Sequence, residues 1–296
     1  MYEKYTEAGR IAGEALKRAV EIVHEERMVL DICEELEDFI IKRGARPAFP
    51  VNISQNEEAA HYTARYDDDR RIKKGSLVKV DLGVHVDGYI ADAAITLSFS
   101  GIYTSMVRAN YEALERALSI IKDGLEFYEF GSYVEKLAKG YGFKPIENLM
   151  GHRLDRYVLH TGDSVPMIGS PVKGRFRSQN AYAIEPFFVE MDAMGFVIDG
   201  QHSNIYRLVA PRKVKDESAS QLVDYIWKTY RTLPFASRWI IKEFGPSSVT
   251  ALERLVKENL LEEYYTLVEA GGAPVAQFEH TVYVDRDKVT VTTRIP

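Results

Sequence analysis

Val78-Lys79-Val80-Asp81-Leu82-Gly83-Val84-His85-Val86-Asp87-Gly88-Tyr89-Ile90-Ala91-Asp92 is the stretch whose reading decides the fold. Val78, Val80, Leu82, Val84 and Val86 alternate with other residue types, the period of a strand, and Asp87-Gly88 is a favoured two-residue hairpin turn. With those two residues as the loop, Gly83 lies opposite Asp92. Asp81 shares the face of Gly83, because side chains repeat every second residue. The two carboxylates are then diagonal cross-strand neighbours, roughly 7 to 8 Å apart at Cα. Like charges so close repel, so a positive group is expected between them.

Upstream of the hairpin, Ile11, Ala12, Ala15, Leu16, Ala19, Val20 and Val23 mark an amphipathic helix, and a second is expected over about 28–41, closing at Gly44. Arg46-Pro47-Ala48-Phe49-Pro50-Val51-Asn52-Ile53-Ser54 carries two prolines and is expected to be extended, delivering His61 ahead of the hairpin. Downstream, helices are expected over about 106–121 and 131–139, then turn-rich sequence around Gly142, Pro145 and Gly151. Strands are expected over 156–160, 181–189, 195–198, 277–284 and 289–294. Both halves therefore read as helices plus antiparallel strands, an α+β chain. Before the last two strands come three helical stripes: Leu222, Val223, Ile226 and Leu233; Trp239, Ile240 and Phe244; Leu252, Leu255, Val256 and Leu260. This block reads as a packed insertion. From Arg212 to Glu263 nine Lys or Arg stand against eight Asp or Glu, so a helix-turn-helix reading lacks its electrostatic footprint.

A chain of 296 residues with 46% hydrophobic residues has ample material for a core. A net charge of -6 gives no global attraction to nucleic acid or to an anionic membrane, and neither is an expected partner. No apolar signal core follows Met1 and no run of eighteen uncharged apolar residues occurs, so a soluble, cytoplasmic protein is expected. The single cysteine, Cys33, falls in the apolar rhythm of the second helix and reads as a core residue.

The groups that could join Asp81 and Asp92 are few. His152 follows Leu149-Met150-Gly151, and His160 stands in Tyr157-Val158-Leu159-His160-Thr161-Gly162. Glu185 interrupts the apolar run Tyr182-Ala183-Ile184-Glu185-Pro186-Phe187-Phe188-Val189, and Glu279 does the same in Val275-Ala276-Gln277-Phe278-Glu279-His280-Thr281-Val282. A carboxylate in such a strand is costly to bury unless it is paired or ligates a metal. Taken singly, each acid is ordinarily on a solvent face and each histidine ordinarily a hydrogen-bonded structural residue. Together, four carboxylates and one neutral imidazole offer a hard, oxygen-rich shell suited to two divalent ions bridged by carboxylates and a water. Two cations also answer the repulsion between Asp81 and Asp92. Co, Mn, Fe and Zn all accept such a shell.

Six motifs in order and spacing carry a resemblance over essentially the whole chain: 48–56 (Ala-Phe-Pro-Val-Asn-Ile-Ser-Gln-Asn), Ala59-Ala60-His61-Tyr62-Thr63, Val80-Asp81-Leu82-Gly83, the Gly151-His152 and Leu159-His160 pair, Ala183-Ile184-Glu185-Pro186-Phe187, and Ala276-Gln277-Phe278-Glu279-His280-Thr281. Together they resemble the type 2 methionine aminopeptidases. The helical block resembles the insertion that separates type 2 from type 1 enzymes, and the lack of an N-terminal extension resembles the short archaeal form. The resemblance implies the pita-bread fold: a single catalytic domain over 1–296, two pseudo-symmetric α+β halves with antiparallel sheet around a metal site, and a helical insertion over 207–268. It implies that Asp81 chelates one metal, that Asp92 and Glu279 bridge two, and that His152 and Glu185 complete the other shell. Glu185 would also move the proton, His160 would steady the carbonyl oxygen or tetrahedral intermediate, and His61 would meet the scissile amide. Phe49, Leu159 and Phe187 match apolar positions of the methionine pocket, and Tyr264 or Tyr265 would close it. The implied substrate is a nascent polypeptide whose second residue is small and uncharged, met by a monomeric enzyme in the cytoplasm, with the ribosome as a possible partner.

The chain departs from the family pattern where Ala64 follows His-Tyr-Thr in place of the usual proline, where Arg153 follows His152, and over Phe188-Val189-Glu190-Met191. None of these removes a proposed ligand. His280 is expected on the opposite strand face from Glu279, and His24, His85 and His202 are expected to be surface or packing residues. Two other readings compete. A catalytically dead relative acting as a binding module would have lost metal ligands. An Xaa-Pro peptidase would carry a large domain before Asp81 and lack the insertion.

Overall fold

The hairpin forms in the register that its alternation dictates. In the computed structural model, which describes residues 1–209 and 217–296, it follows helices α1 (Tyr2–Ile22) and α2 (Val29–Lys42) and strands β1 (Arg46–Gln55) and β2 (Glu58–Ala60). Its arms are β3 (Leu77–Val86) and β4 (Tyr89–Ser98), with Gly83 paired to Asp92 and Asp81 to Ala94. Asp87 and Gly88 take φ of 50° and 89°, the left-handed pair that a two-residue turn of this kind needs. β1 joins the outer edge of β3 antiparallel, setting Asn52 opposite Asp81. Gly44, at φ 82°, closes α2 as expected.

Helices α1 and α2 cover this sheet. Ile11, Leu16, Ile32, Leu36, Val51, Val80 and Val84 meet in one core with no exposed surface, and burial of each such side chain contributes roughly 1.5–3 kcal/mol. Cys33 belongs to that core, donating to Val51 O at 3.3 Å. On the other side of α1, Gly9 and Gly13 let the C-terminal segment approach. A Cβ at either position would stand 2.3 Å from a carbonyl oxygen, of Thr292 or Arg294.

The second half repeats the plan of a helix pair and antiparallel strands. Helices α3 (Thr104–Leu118) and α4 (Phe127–Gly140) precede β5 (Phe143–Pro145), β6 (Met150–Leu154), β7 (Ser164–Pro166), β8 (Asn180–Ile184), β9 (Phe187–Glu190) and β10 (Val197–Leu208). Next come α5 (Glu217–Thr229), β11 (Phe235–Ala236), α6 (Ser237–Phe244), α7 (Ser248–Lys257), β12 (Leu261–Glu269), β13 (Ala276–Gln277), β14 (His280–Val284) and β15 (Val289–Val291). Three sheets result, in the orders β15-β14-β8-β6-β7, β13-β9-β5 and β11-β10-β12-β2.

Three sequence expectations need correction. Residues 156–160 are not a strand. Asp155 and Val158 exchange both backbone bonds around Tyr157 at φ 58°, while Tyr157 N and Arg156 Nε donate to Gly88 O and Asp87 O at the tip of the hairpin. Residues 181–189 are not one strand but two, β8 and β9, in different sheets on either side of Glu185-Pro186. Residues 277–284 divide likewise at Phe278-Glu279, between β13 and β14. Proline cannot donate to a ladder, which accounts for the first division. The two breaks lie side by side, since Gln277 pairs with Phe187 and His280 with Ile184. Among the described residues, the block between β10 and β12 holds three helices around a core of Leu222, Ile226, Phe235, Ile240, Leu252 and Leu255. Part of the expected 207–268 span is strand, and its residues 210–216 lie outside the described residues.

Candidate metal centre and substrate cleft

One cleft of about 310 Å³ gathers Asp81, Asp92, His152, Glu185 and Glu279 from five separate segments. Asp81 and Asp92 arrive on the ladder of β3 and β4, and His152 on β6 beside Ser164 and Ala183. Glu185 and Glu279 arrive at the paired breaks, where the chain leaves one sheet for another and a side chain can be re-aimed. The Glu279 break is fastened to the hairpin: Glu279 N donates to Ala94 O at 3.0 Å, and Thr281 Oγ1 both accepts from Asp92 N (2.7 Å) and donates to Asp92 O (2.8 Å). The Glu185 break is held by Asn110 of α3, whose Nδ2 donates to Pro186 O at 2.8 Å and reaches Ala276 O at 3.4 Å.

The five groups converge. Ligand atoms of Asp92, His152 and Glu279 lie within 4.8 Å of one another. His152 Nε2 is 3.7 Å from Asp92 Oδ2 and 3.4 Å from Glu185 Oε1. Burial pushes the Asp81 carboxyl up to about 7. Burial and then the Asp81 charge raise Asp92, and burial with the neighbouring carboxylates raises Glu185 and Glu279. Burial also holds the His152 imidazole far below its ordinary value, hence neutral and able to ligate. Asp81 Oδ1 and Glu279 Oε1 are buried without a hydrogen-bond partner, and among the described residues no lysine or arginine lines the cleft. Four carboxylates around one space with no protein cation form the shell a divalent metal would satisfy, so these residues fit such ions.

The same cleft is also lined by Phe49, Leu159 and Phe187 together with Ile205, Leu267 and Tyr264, which give it an apolar wall. His160 follows the loop tied to the hairpin tip, and its ring centre is 4.2 Å from that of His152. His61 takes φ 68° and donates Nδ1–H to Tyr265 O at 3.3 Å. Its ring meets that of Tyr264 edge-on at 5.5 Å. Of the two adjacent tyrosines, Tyr264 lines the cleft, and Tyr265 packs against His202. His280 turns away from the cleft, to Thr293 and Glu115, as strand alternation requires.

Sequence reasoning assigned no role to Asn52, Gln277 or Asn110. Asn52 is buried opposite Asp81, and Gln277 Nε2 donates to Glu279 Oε2 at 3.3 Å. The available signal was a polar residue in an apolar extended run, Val51-Asn52-Ile53 and Ala276-Gln277-Phe278. Asn110 gave no such signal within its helix.

The sequence model of metallopeptidase family M24 matches residues 3–286. A methionine aminopeptidase of Saccharolobus solfataricus is 42% identical over 292 residues, covering 97% of this chain and 96% of its own length. Among solved structures, a thermophilic Arx1 superposes with a TM-score of 0.86 at 18% identity, over 99% of this chain and 91% of the other. A methionine aminopeptidase of Thermotoga maritima superposes with a TM-score of 0.70 at 22% identity, over 99% and 96%. At those identities the superpositions speak for the fold alone.

Proposed function

The chain belongs to metallopeptidase family M24, and from that membership we infer that the cleft around Asp92 is where it hydrolyses the bond after an N-terminal methionine. It has the pita-bread fold and is a metal-dependent methionyl aminopeptidase. The observation that carries the site is the buried, uncompensated group of four carboxylates and one imidazole beside the apolar wall of the same cleft.

In this proposal Asp81, Asp92, His152, Glu185 and Glu279 would hold two divalent ions, with Asp92 and Glu279 the groups that would be shared between them. When bound, such ions supply an acidified water and polarise the substrate carbonyl. The chain's own groups do the rest. Phe49, Leu159, Phe187 and Tyr264 take the methionine side chain, which fixes the scissile bond over the acids. Glu185 accepts the proton of the attacking water and passes it to the leaving amine. The His61 ring spends Nδ1–H on Tyr265 O, so in its neutral form Nε2 is an acceptor, suited to the scissile amide N–H. His160, at the open side of the cleft, donates to the carbonyl oxygen as it gains charge. In this proposal the second residue of the substrate lies beside His61 and His160 and is small and uncharged. The substrates are nascent chains leaving the ribosome in the cytoplasm, and the enzyme acts as a monomer. Among the described residues no helix is long and apolar enough to cross a membrane.

The test is release of free methionine from Met-Ala-Ser and Met-Pro peptides by metal-stripped protein reconstituted in turn with Mn²⁺, Fe²⁺, Co²⁺ and Zn²⁺. Release with at least one ion is expected, and none with the stripped protein. Failure with every ion would overturn the assignment.

A further inference from the structure

Arg238 of α6 is fully buried, and its hydrogen-bond partners lie 174 to 201 residues away in sequence. One terminal nitrogen pairs with Glu37 Oε1 of α2. The other donates to Thr63 Oγ1 at 2.8 Å and to Ala64 O at 2.9 Å. Glu37 is itself fixed by Trp239 Nε1 (2.8 Å) and Val51 N (3.1 Å), and Thr63 Oγ1 donates onward to Val51 O at 2.7 Å. The segment so gripped begins two residues after His61. It belongs to no helix or strand, and His61 stands at φ 68°, a conformation that a non-glycine residue keeps only when its surroundings dictate it.

A buried ion pair is a weak source of stability and is often replaceable by apolar side chains. What an apolar replacement cannot do is aim two donors at adjacent residues of one segment. We propose that Arg238 is a positioning residue for the substrate: through Thr63 and Ala64 it sets the backbone that carries His61, so the helical insertion is part of the catalytic apparatus. The proposal rests on the reading of His61 as a group that touches the substrate.

The test uses the full-length protein, zinc-loaded for the spectra and loaded with the ion that supports methionine release for the kinetics, and the variants Arg238→Lys, Thr63→Val, His61→Ala and Arg238→Lys/His61→Ala. Thr63→Val removes one of the two bonds from Arg238 to this segment, leaving the bond to Ala64 O and the Arg238–Glu37 pair in place, so it serves as the milder variant if Arg238→Lys folds poorly. Two readouts are taken: the imidazole ¹⁵N signals, with His61 assigned by its loss in His61→Ala, and kcat/KM on Met-Ala-Ser. The His61 signals should shift in both single variants while those of His24 and His202 stay in place. Turnover per KM should fall on the order of tenfold to a hundredfold, with no further fall when Arg238→Lys is added to His61→Ala. Unshifted His61 signals, or losses that multiply in the double variant, would overturn the proposal. Unchanged kinetics in His61→Ala would instead refute the substrate role of His61, and the imidazole shift would still decide whether Arg238 positions it.

Discussion

The two halves of the molecule bring carboxylates to one cleft by different means. Asp81 and Asp92 stand on the unbroken ladder of β3 and β4, held by the same repeating bonds that hold every neighbour. Glu185 and Glu279 stand where the ladder stops, at the paired passages between β8 and β9 and between β13 and β14. Each passage hangs on a few specific bonds, from Asn110 on one side and Ala94 on the other. A ladder gives a position that can be counted from the sequence. A break gives a direction that no repeat supplies, which is how acids from one half can face acids from the other.

The largest effect should come from removing one acid of each kind. Asp92→Asn and Glu279→Gln should each reduce methionine release from Met-Ala-Ser to background while near-UV circular dichroism stays native. Substantial activity in either one would break the equivalence of ladder and break within the centre.

Two glycines then sharpen the contrast. A Cβ at Gly151, beside His152, would stand 2.3 Å from Ala183 O, which is β8 backbone; a Cβ at Gly83 would stand 2.3 Å from the Phe49 ring and 3.0 Å from Ala48 Cβ, side chains rather than backbone. Gly151→Ala should destabilise by roughly 1–3 kcal/mol in urea unfolding, the usual range for overpacking. Gly83→Ala should cost less stability and instead raise KM, because Phe49 lines the methionine pocket. The reverse order would show that the second half is the more yielding one.

A pH series on metal-free protein gives a smaller effect. The Asp81 carboxyl lies at about 7 in the folded chain against an unfolded value near 3.8, so between those values the folded state binds more protons than the unfolded one. Stability is then fully present at the acid end of that window and is lost as pH rises through it. Burial holds the imidazoles of His61, His85, His152 and His160 below their ordinary value, which acts in the opposite sense up to about pH 6.5, so the Asp81 contribution is read as the difference between the parent and Asp81→Asn. The parent's melting temperature relative to Asp81→Asn should fall from pH 4.5 to pH 7.5, with added Mn²⁺ restoring the parent at the upper end, and a relative value that rises over this range would contradict the raised carboxyl. The smallest effect should be that of Tyr265→Phe, which alters a half-exposed ring outside the cleft: kcat/KM and stability should stay within about 0.5 kcal/mol of the parent.

Much of this site was legible in the sequence, for a reason tied to the same contrast. Period-two alternation and an Asp-Gly turn dictate a register, and a register dictates that Asp81 and Asp92 share a face. Glu185 and Glu279 were legible only as misplaced acids, because their orientation depends on chain breaks whose partners, Asn110 and Ala94, are remote in sequence. The strand expected over 156–160 failed for a related cause: Arg156 and Tyr157 spend their donors on the hairpin tip, a tertiary contact that propensity does not register. Which tyrosine faces the cleft was equally hidden, since Tyr264 and Tyr265 differ only in which side of β12 is covered.

The Glu37–Arg238 pair also sets a clock on biosynthesis. Its members are 201 residues apart, and at about 5–20 residues per second a ribosome needs roughly 10 to 40 s to make the second after the first. Through that interval Glu37 lacks the guanidinium it meets in the folded chain, while Val51 N, made soon after it, is already at hand to donate. The bonds that Arg238 makes to Thr63 and Ala64, beside His61, are thus out of reach until the insertion emerges, long after the segment they hold has been made.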